Sequence, residues 1–250
     1  MTPIAEPSPA DRTVGQLVAE TIRLYGQHFW HSLALGVGPA VLTTIAGRLA
    51  YHDWLVMMMT VGILVLSASY VGAVAVAAEA RLDRRALLAF AAGTIAFLPV
   101  PILIFGAVLP AVAWFALVGL VVPVVMLEQR GFRESFRRAV RLGSVDYVHA
   151  LGSLATLMIV VVVSIGVLAF LLLGAGQQTA RVAFFLANLV LSPLLFLGAA
   201  LLYFDQKARL ESGSPRQRRR DARLHHALDS DRAGRPDAEV EPGPAARGES

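Results

Sequence analysis

Apolar residues run along this chain in two rhythms. The long runs are uncharged: residues 24–47, 54–78, 86–127, 147–180 and 182–204 contain no Asp, Glu, Lys or Arg. A membrane-crossing helix needs about 20 mostly apolar residues. Four of these windows predict one crossing each, and the 42-residue window 86–127 predicts two, joined by a tight turn within 104–110. The expected crossings are about 32–46, 55–77, 86–101, 108–127, 148–173 and 182–203. The predicted fold class is therefore all-α, a polytopic membrane protein of six transmembrane helices arranged as three hairpins.

The short runs have helical periodicity. Thr13 and Gln16 fit a capping box, a hydroxyl at the N-cap with Gln three residues on. The helix it opens has apolar Val14, Leu17, Val18, Ile22 and Tyr25 on one face, with Arg12, Gln16, Glu20, Arg23 and Gln27 opposite. Residues 131–145 repeat the pattern, with Phe132, Phe136 and Val140 toward lipid and Arg133, Glu134, Arg137, Arg138 and Arg141 toward water. Both segments predict amphipathic helices lying on a membrane surface. Within the crossings, Ser69, Ala73 and Ala77 form a small-xxx-small face for close packing, and Gly36-Val-Gly38-Pro39 is a candidate break. The hydroxyls of Thr43, Thr44, Ser67, Ser69, Thr94, Ser153, Thr156 and Ser164 are expected to bond neighbouring helices.

Charge fixes the expected orientation. Of 22 Lys and Arg, only Arg48 and Arg181 fall in loops that six crossings place on one side. Basic loops stay in the cytoplasm, so both termini are expected there; one Lys against 21 Arg, with abundant Ala and Gly, points to a GC-rich bacterial genome and so to a bacterial inner membrane. Crossing 86–127 once would export Arg130, Arg133, Arg137, Arg138 and Arg141, against that bias. Residues 1–12 and 212–250 are polar and rich in Pro or mixed charge, and read as disordered flanks of a membrane domain at 13–211. The tail carries a basic run, Arg216, Arg218, Arg219, Arg220 and Arg223. The first residues lack a basic region followed by an apolar run, so no cleaved signal peptide is expected.

A net charge of +4, placed mainly on one side, points to anionic lipid headgroups as partners rather than nucleic acid. No cysteine is present, which excludes thiolate catalysis and disulfides. No Gly-x-Ser-x-Gly elbow, phosphate loop or HExxH pair occurs, so no catalytic residue and no cofactor is predicted.

Shifting the chain by 118 residues aligns 22–33 with 140–151, matching Arg23 with Arg141 and His31 with His149. The shift makes His28 equivalent to Asp146. If the two copies abut, His28, His31, Asp146 and His149 would offer four metal-ligand types at one surface; the plainer reading is interfacial polar anchors. Glu79, Glu128 and Asp205 each precede a base by two residues where an even-numbered crossing ends. Ionisable residues at a membrane can mark functional pathways, but at wet helix ends local charge balance is the plainer explanation of such acids.

The segments TVGQLVAETIRLYGQHFW, VPVVMLEQRGFRESFRRAVRL and LLYFDQKARLE together resemble the membrane domain attached to some bacterial glycerophosphoryl diester phosphodiesterases, and related six-helix proteins of unknown function. The resemblance covers most of 13–211. Its most specific elements are Glu128 with Arg138 and Arg141, and Asp205 with Arg209. It implies a membrane domain whose own activity is unassigned. The phosphodiesterase activity is not carried over, because only the short tail remains beside the crossings. The expectation is a non-enzymatic structural or regulatory module that organises lipid or a protein partner; the alternative is a transporter of a small or amphipathic solute.

Overall fold

The computed structural model describes residues 12–212 except 129, 173 and 175. The expected disordered segments, with the basic run at 216–223, lie outside the described residues apart from Arg12 and Ser212. Eleven α-helices and one π-helical turn, and no strand, occur among the described residues. Six helical stretches are long and apolar enough to cross a bilayer: Phe29–Ala46, Tyr51–Ala77, Arg84–Ile104, Val108–Leu127, Tyr147–Leu171 and Gln177–Glu211. The chain is an all-α multi-pass membrane protein.

The helices in chain order are α1 (Val14–Gln27), α2 (Phe29–Ala46), α3 (Tyr51–Met57), α4 (Ile63–Ala77), α5 (Arg84–Phe97), α6 (Val100–Gly106), α7 (Val108–Val118), α8 (Val121–Leu127), α9 (Phe132–Val145), α10 (Tyr147–Leu171) and α11 (Gln177–Glu211). A π-helical turn, Met58–Gly62, joins α3 to α4 into one span. The turn inside 86–127 is a single extended residue, Ala107, with φ −175° and ψ 153°. Pro99 and Pro123 interrupt or bend the two spans on either side, as expected where a ring replaces an N–H. In contrast, α2 runs unbroken through Pro39, so Gly36-Val-Gly38-Pro39 does not divide the first span. The segment 51–54, between the expected crossings at 32–46 and 55–77, is already helical.

The last helix is the structural centre: α11 packs against α1, α2, α4, α9 and α10. Its 35 residues rise about 52 Å, well beyond a hydrocarbon core of about 30 Å. It therefore projects past the apolar layer, and the helix continues eight residues beyond the expected end of the crossing at 203. Where α11 meets α2, a Cβ on Gly36 would strike the Leu189 carbonyl. Pro193 has no N–H to give that carbonyl, so a residue without a side chain lets the α2 backbone close onto an oxygen the helix has left open. At mid-bundle, buried Tyr70 meets Phe97, Phe115 and Phe196 at ring-centroid distances of 6.2, 5.4 and 6.4 Å, tying together spans two, three, four and six. Ser69 and Ala73 are buried, as the small-residue face requires.

The threonines behave differently from expectation. Thr43, Thr44, Thr94 and Thr156 donate to carbonyls three or four residues back in their own helices. A β-branched hydroxyl reaches its own i−4 carbonyl without any neighbour's help. Interhelical bonds come instead from Trp114, whose indole N–H donates to the Ala96 carbonyl at 2.8 Å, and from Tyr147, whose hydroxyl donates to Ala113 at 3.2 Å.

The 118-residue repeat is present as structure. Helix α1 starts at 14 and α9 at 132, and they end at 27 and 145; α2 then starts at 29 and α10 at 147. The breaks between them, His28 and Asp146, both leave helical geometry. The buried stripe also keeps register: Leu17, Thr21 and Tyr25 in α1, Ser135, Ala139 and Gly143 in α9. The capping box at Thr13 and Gln16 forms, with bonds of 3.4 and 2.8 Å.

Candidate functional site: two ion-pair clusters around the end of α11

Both amphipathic helices sit at the end of the bundle where spans two, four and six finish, and α11 passes between them. Its overhang carries Tyr203, Asp205, Gln206 and Arg209. Since successive helical residues point about 100° apart, Tyr203 and Asp205 face opposite ways, and a polar cluster assembles on each side.

On the α1 and α10 side, Arg12 Nη1 pairs with Asp205 Oδ1 at 3.1 Å, and the Asp205 side chain is fully buried. Arg209 Nη1 pairs with Asp146 Oδ2 at 2.8 Å, and its Nη2 donates to the Arg12 carbonyl at 2.7 Å. Asp146 also caps α10 by accepting from the His149 backbone N–H at 3.2 Å. Gln206 donates to the Asp146 carbonyl at 3.2 Å. Arg209 Nη2 lies 3.3 Å from His149 Nε2, and because guanidinium can only donate, that contact uses the imidazole lone pair. Two acids and two arginines thus balance in charge at the junction of three helices. Asp205 Oδ2, Gln206 Oε1 and Arg209 Nε are buried without a hydrogen-bond partner.

On the α8 and α9 side, Glu128 Oε2 accepts from Arg130 Nε at 2.9 Å and from Arg138 Nε at 3.1 Å, and Glu128 Oε1 accepts from the Tyr203 hydroxyl at 3.1 Å. Glu134 pairs with Arg130. Hydrogen bonds to Glu134 and then Glu128 push the Arg130 pKa above its ordinary value, keeping the guanidinium charged. A carboxylate that is nearly buried is held by two guanidiniums and a phenol, which satisfies the demand that a desolvated charge be paired and hydrogen-bonded.

The sequence-derived candidates divide accordingly. Glu128 and Arg138 come together in one cluster, and Asp205 and Arg209 share the other, linked through Arg12 rather than directly. Arg141 is exposed on α9 and joins neither. Glu79 is also exposed, in the left-handed region at φ 49°. It ends α4 in a Schellman turn, Ala80 N–H donating to Ala75 O at 2.9 Å and Glu79 N–H to Val76 O at 3.3 Å. The acid-x-base echo is thus one local ion pair: Glu128 holds Arg130, whereas Asp205 holds Arg12 and Lys207 sits 5.8 Å from the Tyr203 ring centre.

The four candidate metal ligands do not converge. His149 and Asp146 join the Arg209 cluster, while His28 and His31 line a separate groove between α2 and α4 with Glu79 and Arg81. Among the described residues no three of His, Asp and Glu form a metal-holding group. Register explains this: equivalent repeat positions present equivalent faces to different neighbours, α1 to α10 and α11, α9 to α7, α8 and α11.

Sequence reasoning missed Arg12, which it placed on a water-facing stripe, and the roles of Tyr203 and Gln206. Comparison with family models, curated proteins and solved structures gives no match.

Proposed function

We propose that this protein is a non-enzymatic membrane module whose working surface is the pair of amphipathic helices, held rigidly at the membrane face to organise anionic lipid headgroups. One observation carries the reading: α1 and α9 bury the same three repeat positions against the bundle and leave a second, apolar set outside. Ile22, Phe132 and Val140 stay 40–56% exposed, beside exposed Arg133, Arg137 and Arg141. An apolar stripe flanked by arginines suits the headgroup boundary of an anionic leaflet, where each base near the surface contributes about 1 kcal/mol. The ion-pair clusters fix both helices to α11, so the surface is preformed. The basic bias of this end supports a cytoplasmic placement of both termini, in a bacterial inner membrane. The resemblance to phosphodiesterase-linked membrane domains is compatible with such a supporting role.

The transport reading has less support. A mid-bundle cavity of about 280 Å3 is lined by Leu66, Phe97, Phe115, Met158 and Phe196, which offer a polar solute no hydrogen bond.

Phe136, expected toward lipid, packs half-buried against the core, so the test places an environment-sensitive fluorophore on Val140→Cys in full-length protein, reconstituted into nanodiscs with or without phosphatidylglycerol. The expected result is a blue shift with anionic lipid that R133Q/R137Q/R141Q abolishes. An unchanged spectrum in both lipids would overturn lipid organisation and leave a protein partner as the occupant of this face.

A further inference from the structure

The far end of the bundle, away from the paired amphipathic helices, carries almost no charge. Its two basic residues among those described, Arg48 and Arg181, are 133 positions apart in sequence, yet they line one cavity of about 370 Å3 between α2 and α11. The other polar groups lining it are Thr43, Thr44, Gln177 and Asn188. Neither guanidinium has an ion-pair or hydrogen-bond partner among the described residues. The nearest acid in sequence, Asp53, is exposed on α3 and does not line the cavity.

The cavity follows from how the two helices pack. They run antiparallel and are in backbone contact at Gly36 and Leu189. Positions further out along both helices face each other across open space. The α2 carboxyl end and the α11 amino end meet there with opposed dipoles that largely cancel. The field in the cavity is therefore set by the two guanidiniums, whose planar donors suit phosphate oxygens.

We infer that this cavity holds the phosphodiester of a phospholipid, with Arg48 and Arg181 on its oxygens. Along α2 the face that ends at Arg48 continues inward through Val41 and Val37, both exposed, and on α11 Phe184 follows Arg181 one turn later. An acyl chain has an apolar track directly below the headgroup, which a free phosphate would not use. This site lies opposite the lipid-organising surface proposed above and does not depend on it.

The test uses full-length protein in maltoside detergent, titrated with dioctanoyl phosphatidylglycerol and followed by native mass spectrometry. Wild-type protein should retain a lipid adduct that R48Q/R181Q loses, with affinity about tenfold weaker or more, while R48K/R181K recovers part of it. R84Q/R85Q, which removes the same charge from the other end of the bundle at residues that belong to neither lipid surface, should leave this adduct in place. Loss of an adduct only in R137Q/R141Q, on the surface proposed above, would overturn this site while sparing the surface reading. Equal lipid retention by wild type and R48Q/R181Q also overturns the inference. A parallel titration with inorganic phosphate separates the sources: displacement of the lipid at low millimolar phosphate would make the cavity a soluble-anion site and overturn the lipid assignment. Arginines this exposed are not needed for packing, and circular dichroism of each variant checks that the fold is retained.

Discussion

Arg12 and Asp205 stand 193 residues apart and meet in a 3.1 Å ion pair whose acid has no solvent exposure. The pair joins the residue just before the first helix to the last turns of the final one. Removing one partner strands a charge; removing both does not. Breaking a buried pair from one side costs about 3–5 kcal/mol, so Arg12→Ala and Asp205→Ala should each lower the melting temperature in detergent sharply. The double variant should be less destabilised than the sum, with a coupling of about 1–3 kcal/mol. Additive losses would mean that the pair does not hold α1 to α11.

Glu79 occupies a backbone conformation that favours glycine, at φ 49°. Left-handed geometry costs an L-residue about 1–2 kcal/mol. Glu79→Gly should therefore stabilise the protein, whereas Glu79→Ala should leave that strain in place. Equal melting temperatures for the Gly and Ala variants would refute the strain account.

Two glycines give opposite expectations. At Gly36 a methyl group meets the Leu189 backbone, so Gly36→Ala should separate α2 from α11 and destabilise. At Gly26, inside α1, the same methyl group meets nothing within 4 Å. Gly26→Ala should stabilise by about 0.5–1 kcal/mol, the helix-propensity difference. Thermal unfolding of the two variants in parallel checks the close approach against the propensity term.

The absence of cysteine allows the topology to be mapped by single introduced thiols. Probes at His52 and Gly176 should react with an impermeant maleimide from outside intact cells, and probes at Asp83 and Arg133 only after permeabilisation. External labelling at Arg133 would reverse the proposed orientation of α9 and remove its access to the inner leaflet.

The architecture was legible because it rests on local, one-dimensional quantities. Uncharged length sets the number of crossings, a long enough window forces a turn near Ala107, and the capping box at Thr13 closes within four residues. The repeat was legible as four identities in a twelve-residue stretch and holds as helix boundaries over residues 14–29 and 132–147. The resemblance singled out Glu128 with Arg138 and Arg141, but that Arg138 pairs with Glu128 while Arg141 joins no cluster follows only from the packing of α9 on α8.

What the sequence could not supply was the partner of each buried charge. Periodicity places Arg12 on the polar face of an amphipathic helix, but it cannot say that α11 overshoots the membrane and brings Asp205 beside it. Nor can the repeat say whether His28 meets Asp146, since two similar helices dock on different neighbours and their equivalent residues end in separate surroundings. The sequence alone determined which segments leave water, through the free energy of burying apolar length. Only the tertiary structure decided which charges meet where, because ion pairing depends on distances of a few ångströms set by the packing of the whole bundle around α11.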